Sequence, residues 1–174
     1  RTLLVSGAGP IGLLAALVGA QRGLKVHVFD RHDDGPKPEL VRRLAAIHHS
    51  DMRDVAALDP DIWIECTGAE ALVAAALSGT AAAGIVCLTG VSAVGKSREL
   101  DLGAINRTTV LDNNVVFGTV NANRTHYEMA ADALAGADRD WLHGLITRRV
   151  PISRWADALQ RRPDDIKVVV DFTL

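Results

Sequence analysis

No stretch of this 174-residue sequence approaches the roughly eighteen consecutive apolar residues that a membrane-spanning helix needs. No basic segment followed by an apolar core opens it, so no secretory signal is read. Positive charge is not in surplus: 19 Lys and Arg stand against 21 Asp and Glu, a formal net charge of -2. No general attraction to polyanions follows, and nucleic acid and membranes are set aside as partners. Cysteine is scarce. The two present, Cys66 and Cys87, fall in apolar strand-like runs and read as buried thiols, compatible with a cytoplasmic setting. His48 and His49 are neighbours, and neighbouring strand residues face opposite sides, so no metal site is expected here. No internal repeat and no low-complexity segment is found.

What is present is concentrated at the start. Thr2–Ser6 is an apolar run long enough for one buried strand. Gly7, Gly9 and Gly12 follow in G-x-G-x-x-G spacing, with Ala8, Pro10 and Ile11 between them. Apolar residues then recur at helical spacing (Ile11, Leu14, Ala15, Val18) until Gly23. Lys25–Phe29 reads as a second strand, followed by Asp30. Each part of this unit has a chemical use. Gly7 permits the tight turn, Gly9 lets backbone approach a pyrophosphate, and Gly12 lets helix and sheet pack closely. The helix N-terminus offers free N–H groups and partial positive charge to phosphate, and Pro10 loses nothing there because a first-turn residue has no use for its N–H. Asp30 stands where an acid binds a ribose 2′-hydroxyl; its other reading is a residue capping a turn. An acid there favours NAD over NADP. Arg31 and His32 pull the other way, since an arginine there can stack on adenine or meet a 2′-phosphate, unless both are merely solvated loop charges.

The remainder continues the alternation of strand and helix. A helix is read over 39–45 and a strand over 46–48, then a short helix or turn over 51–58. A fourth strand covers 61–66, a helix 69–83, a fifth strand 84–88, a helix 101–112 and a sixth strand 115–120. Helices follow over 125–135 and 138–144, the first with Thr125 as cap and Glu128 closing a capping box. The tail reads as strand (146–151), helix (152–161, Ser153 as cap) and strand (166–172). This pattern predicts an α/β fold: a doubly wound, mostly parallel six-stranded Rossmann sheet with helices on both faces, plus a C-terminal strand-helix-strand tail. Residues 1–145 form the dinucleotide-binding unit and 146–174 the tail. Thr67 and Gly68 follow the fourth strand, and Thr89, Gly90 and Val91 the fifth, at the edge where such sheets hold ligands. Thr67 and Gly68 read equally well as cofactor contacts or as a simple turn. The sixth strand, at the sheet edge, leaves backbone groups free for a partner strand, so a homo-oligomer, dimer or tetramer, is expected.

The segment Gly7–Gly12 resembles the corresponding loop of the medium-chain dehydrogenase/reductase superfamily, as does the tail from Ile146 to Val170. Phe117–Tyr127 is similar, more narrowly, to the Gly-x-Val-Asn-x-x-x-x-His-Phe stretch of its glucose dehydrogenases, and Glu65–Gly68 to their Glu-Ala-Thr-Gly. The resemblance implies that Gly7–Gly12 carry the pyrophosphate and that Asp30, Arg31 and His32 surround the adenosine ribose. It places Thr89, Gly90 and Val91 by the nicotinamide, with Thr119, Val120 and Asn121. Asn121 also reaches a sugar hydroxyl, and Arg161 meets the cofactor, with Arg162 as a second candidate. Where some relatives have Asn-Arg-Arg and take NADP, Asp30 departs, so NAD is slightly favoured. The implied activity is hydride transfer between nicotinamide and an alcohol or sugar. The zinc would be held by a separate N-terminal domain on which the tail packs, so the chain reads as an inactive piece of a longer protein. A zinc-independent quinone or enoyl reductase and a non-catalytic nucleotide sensor are the alternatives. His126 reads as structural.

Overall fold

The computed structural model describes residues 1–94 and 99–174. Its centre is β1 (Thr2–Ser6), whose alternating side chains divide the core in two. Leu3 and Val5 enter a cluster with Val26, Val28, Leu13, Leu17, Leu40, Val41 and Trp141. Leu4 enters the opposite cluster, with Phe29, Val55, Trp63, Leu72 and Val86. This is the two-residue period of a strand covered on both faces.

Around β1 run β2 (Lys25–Phe29), β3 (Ile47–His49), β4 (Ile62–Glu65), β5 (Ile85–Leu88) and β6 (Val115–Gly118). They form one sheet in the order β3-β2-β1-β4-β5-β6, and every pairing is parallel. The doubly wound six-stranded sheet expected from the sequence is therefore present. Its order reverses between β1 and β4, which opens a crevice at the carboxyl ends of those strands.

The helices are α1 (Pro10–Gln21), α2 (Pro36–Arg43), α3 (Met52–Ala56), α4 (Glu70–Ser78), α5 (Leu102–Leu111), α6 (Arg124–Ala135) and α7 (Arg139–Leu145). α1 stops as its sequence predicts. Gly23 takes φ +71, and the Leu24 N–H reaches back to the Gly19 carbonyl while that of Gly23 reaches Ala20, which closes the last turn in a Schellman arrangement. Among the described residues no helix is long and apolar enough to cross a membrane.

Several boundaries differ from the sequence reading. α2 begins at Pro36 rather than at 39, because a proline is well suited to a first helical turn. α4 ends at Ser78 instead of running to 83, since the chain turns through Gly79 and a left-handed Ala83. β6 ends at Gly118, so Thr119 and Val120 lie beyond it. The capping box of α6 is built by Asn123 and His126, not Thr125 and Glu128. Asn123 Oδ1 accepts from the His126 N–H at 2.9 Å, and Glu128 pairs instead with Arg124 one turn earlier. In the tail, residues 152–159 form two short 3₁₀ turns separated by a kink at Arg154 and entered from Pro151, and Ser153 caps nothing.

The tail itself is strand, helix, strand as expected. β7 (Ile146–Pro151) and β8 (Lys167–Asp171) pair in parallel as a separate two-stranded sheet. Ile166 anchors it in the α1-side cluster. Arg148 ties its loop together: Nε and Nη2 grip both oxygens of Asp165, at 3.1 and 2.6 Å, while Nη1 and Nη2 donate to the Asp157 and Gln160 carbonyls.

Candidate functional site

β1 delivers the chain into the glycine loop. Gly7 has φ +101, a value other residues rarely adopt, and a side chain there would strike Thr67 Cγ2 at 2.7 Å. At Gly12 a Cβ would lie 1.8 Å from the Gly7 carbonyl oxygen, so only glycine lets α1 start this close to the turn it leaves. Gly9 differs from both: nothing lies within 4 Å of the position its Cβ would take. That open face is the N-terminus of α1, where Pro10 is the first helical residue and no side chain caps the free N–H groups.

A cleft of ≈ 370 Å³ lies over this loop. Its walls include Gly7, Gly9, Phe29, Asp30, Arg31, His32, Lys37, Cys66, Thr67 and Arg161. A smaller recess of ≈ 240 Å³ adjoins it between Pro10, Lys37, Arg161 and Asp165. Arg161 and Lys37 therefore border both. Arg161 comes from the tail, on the loop that Arg148 holds.

Asp30 stands just past β2 and is only 9% exposed. Its Oδ2 accepts the Ala8 N–H at 2.9 Å and lies 3.5 Å from Lys37 Nζ. Its Oδ1 accepts from His32, from the backbone N–H at 3.1 Å and from Nδ1 at 2.7 Å. Three hydrogen bonds and one ion pair thus meet on this carboxylate. Burial pushes this carboxyl up, but the hydrogen bonds from His32 and Ala8 and the Lys37 charge outweigh it and hold the group below the usual range. Asp30 thus secures the glycine loop to the β2 end from inside the protein.

The β4 and β5 ends meet closely beside the loop. Gly68 has φ +67, and a Cβ there would sit 2.4 Å from the Val91 carbonyl oxygen. One on Gly90 would lie 2.1 Å from Gly68 N. Thr67 Oγ1 accepts from the Ala69 N–H, which gives Thr67 the turn-capping role as well as a place on the cleft wall. Cys66 also lines the cleft; burial pushes its thiol up to about 11, so it is an un-ionised lining group at neutral pH.

The sequence-derived residues therefore fall into three groups. Gly7, Gly9, Asp30, Arg31, His32, Thr67 and Arg161 surround one cleft; Gly12 lies beneath the loop and Pro10 lines the adjoining recess. Gly68, Thr89, Gly90 and Val91 stand at the next strand ends, and Val91 is 85% exposed. Thr119, Val120 and Asn121 follow β6 on an open surface, and Ile11 is likewise exposed. Arg162 donates its N–H to Asp165 and does not line the cleft. Lys37 was missed. Its signal was there, since a lysine in the first turn of a helix opposes the helix dipole and needs a nearby carboxylate, which Asp30 supplies. Among the described residues no group of three or more His, Cys, Asp or Glu is placed to hold a metal ion.

A parallel sheet that reverses at a crevice, with a glycine loop leading into an uncapped helix N-terminus beneath it, defines a doubly wound domain of the Rossmann type. The chain belongs to the family described as glucose dehydrogenase C-terminus, whose model matches residues 1–172. It is 34% identical over 181 residues to a glucose 1-dehydrogenase of Methanocella arvoryzae, covering 98% of this chain and 50% of that protein. With the glucose 1-dehydrogenase of Thermoproteus tenax the identity is 38% over 176 residues, again 98% of this chain and 50% of the other. The chain thus spans about half the length of the curated relatives it matches. Among solved structures, the glucose dehydrogenase of Haloferax mediterranei in complex with NADP, Zn and gluconolactone superposes with a TM-score of 0.88 at 25% identity, over 100% of this chain and 51% of that one. An alcohol dehydrogenase from Thermotoga maritima shares the fold, with a TM-score of 0.83 at 20% identity over 98% of this chain and 50% of that one.

Proposed function

We propose that these residues are the NAD(P)-binding half of a zinc-dependent alcohol or sugar dehydrogenase of the glucose type. The observation that carries the reading is the open Gly9 face of α1 beneath a cleft lined by cations. A pyrophosphate has there an uncapped helix N-terminus, with Lys37 and Arg161 lining the adjoining recess. Thr89, Gly90 and Val91 border the path toward the nicotinamide, and Thr119, Val120 and Asn121 offer backbone and amide groups farther along the same sheet edge. Asn121 is the residue assigned to a sugar hydroxyl. The bound nicotinamide supplies the hydride acceptor; this chain binds it, orients it and keeps water from it. The described residues offer no ligand set for zinc, so its ligands are assigned to other parts of the whole protein.

Asp30 alone favours NAD in the sequence. The geometry supports NADP. The Asp30 oxygens already accept from Ala8 and His32, so a ribose hydroxyl would compete with Lys37 for the remaining position on Oδ2. With Lys37 and Arg161 assigned to the pyrophosphate, Arg31 is the cation on the cleft wall beside Asp30, and a guanidinium there can meet a 2′-phosphate of roughly -1.5 to -2 charge. Titration of the full-length protein with NADPH and NADH, read by nicotinamide fluorescence, tests both statements. Tighter NADPH binding that weakens with salt is expected. Tighter NADH binding would sink the NADP preference, and binding of neither would sink the dinucleotide reading.

Two further parts of the reading concern surfaces. The tail, 146–174, packs on the catalytic half through exposed Trp155, Leu159 and Phe172. A second copy of the chain pairs along β6, whose outer edge and residues Val115, Val116 and Phe117 are open.

A further inference from the structure

Glu65 does not line the cleft, yet it is 0% exposed and lies at the meeting point of three strand ends. Its Oε1 accepts from the Thr67 N–H at 2.8 Å, from the Thr67 hydroxyl and, at 3.4 Å, from Ser6 Oγ. Its Oε2 accepts from the Gly68 N–H at 2.9 Å. Ser6 Oγ in turn accepts from Trp63 Nε1 at 3.1 Å, which leaves the serine proton for Glu65. The Glu65 carbonyl binds the β5 side, accepting from Thr89 N, Thr89 Oγ1 and Gly90 N at 2.8, 2.9 and 3.0 Å. A Cβ on Gly90 would lie 2.6 Å from Oε2, so the β5 turn rests directly on the carboxylate.

A buried carboxylate is costly, and an apolar residue would fill the space more cheaply. What an apolar residue cannot do is accept both backbone N–H groups of the Thr67–Gly68 turn. That turn sets the position of Thr67, whose methyl abuts Gly7 at the point where a glycine Cβ would meet it at 2.7 Å. We propose that Glu65 is a positioning residue for the cofactor cleft: through Thr67 and Gly90 it fixes where the glycine loop and the β5 turn stand relative to each other. The inference rests on the reading of the cleft as a dinucleotide site and deepens it. Glu65 acts without touching the ligand.

Dinucleotide dissociation constants and the split of KM from kcat, measured on the full-length protein, test it. Glu65→Gln keeps the shape but presents a donor where a backbone N–H already points. The expected result is about tenfold or greater weakening of NAD(P)H binding, seen as a raised cofactor KM with a smaller change in kcat. Thr67→Val, which retains the methyl and loses the hydroxyl, is expected to weaken binding in the same direction. The double variant should lose less than the sum of the two single losses, because both variants disturb the Thr67 hydroxyl–Glu65 hydrogen bond. If Glu65→Gln does not fold, Ser6→Ala, which removes a donor to Oε1 without changing the cleft lining, takes its place: weaker dinucleotide binding is expected, and unchanged binding overturns the proposal. Trp141→Phe serves as the comparison, since Trp141 is buried with Nε1 on the Leu40 carbonyl and does not line the cleft. Compared at equal distance below their melting temperatures, Trp141→Phe should bind as the parent does. Three results overturn the proposal: unchanged binding by Glu65→Gln, strictly additive losses in the double variant, or an equal loss in Trp141→Phe. A parent protein that binds no dinucleotide overturns the reading of the cleft itself.

Discussion

His27 and His49 lie face to face, with ring centroids 5.1 Å apart, planes inclined by 13° and Nδ1 of His27 2.8 Å from Nε2 of His49. One proton between the two nitrogens satisfies that contact, and a second breaks it. His27 Nε2 and, on the opposite face of the sheet, His48 Nε2 are buried without a partner. Burial is the main reason all three imidazoles titrate below their ordinary value; neighbouring charge adds to it at His27, and nearby carboxylates only partly oppose it at His48 and His49.

Acid should therefore loosen this edge of the sheet early. The unfolded chain takes up protons near pH 6.5 while the folded chain does not, so stability falls as pH drops below about 6.5 toward the lower folded values. Urea midpoints measured between pH 7.5 and 5 should decline, and His27→Leu should flatten the decline. An unchanged slope in that variant would show that the pair is not the sensor.

Asp30 has the same sign of pH dependence in a more acidic window, although here the fold favours the charged form. Its folded carboxyl lies below the usual range, so its contribution is present above about pH 4 and is lost only as pH falls through the folded value. Asp30→Asn leaves Lys37, whose side chain is 8% exposed, without its counter-charge. A loss of about 3 kcal/mol is expected at neutral pH, measured by chemical denaturation. A loss below about 1 kcal/mol would mean that water already serves Lys37.

The glycines separate stability from binding. In Gly12→Ala the new methyl meets backbone, and unfolding should become easier by at least about 2 kcal/mol. Gly9→Ala meets nothing, so stability should stay within about 0.5 kcal/mol while dinucleotide binding weakens. Calorimetry with and without NADPH distinguishes the two, and a Gly9→Ala protein that binds normally would remove the pyrophosphate from that face.

Arg148→Met should free the 157–165 loop, because four of that loop's hydrogen bonds end on one guanidinium. Limited trypsin digestion is then expected to cut after Arg161 faster than in the parent; the Arg162–Pro163 bond resists trypsin in both. Equal digestion rates would show that the loop is held by other contacts.

Phe117→Glu places a charge on the open edge strand. Sedimentation should show the parent as an oligomer and the variant shifted toward monomer; a monomeric parent would end the edge-pairing reading.

Much of this architecture was legible because it is local. The G-x-G-x-x-G spacing, the run before it and the stop at Gly23 each depend on neighbours within one or two turns. The site was less legible. Asp30 could be located from its spacing, but not its partners: Lys37 stands seven positions on, and the Ala8 N–H twenty-two positions back. Glu65 is quoted easily from a motif, yet its burial follows from three strands meeting, which no local pattern states. The α6 cap shows the same limit at short range. Thr125 and Glu128 fit the pattern, and Asn123 with His126 fit the geometry, because an asparagine two residues earlier accepts the same kind of bond. The observed box closes at residue 126 instead of 128, where His126 Nδ1 accepts the Asn123 N–H, a structural use of that histidine.

Burial is graded across the sheet. β1 is sealed on both faces, while all of β6 and nearly all of the helices beside it stand open to solvent, with no buried residue in α5 or α6. Such a domain does not open as one unit. Amide hydrogens of β6 should exchange through small local excursions, and those of β1 only when the whole domain comes apart. β4 and β5 stand between them, so the strand that breathes most readily is the third from β1, and its fluctuations reach Thr119–Asn121 before they reach the glycine loop.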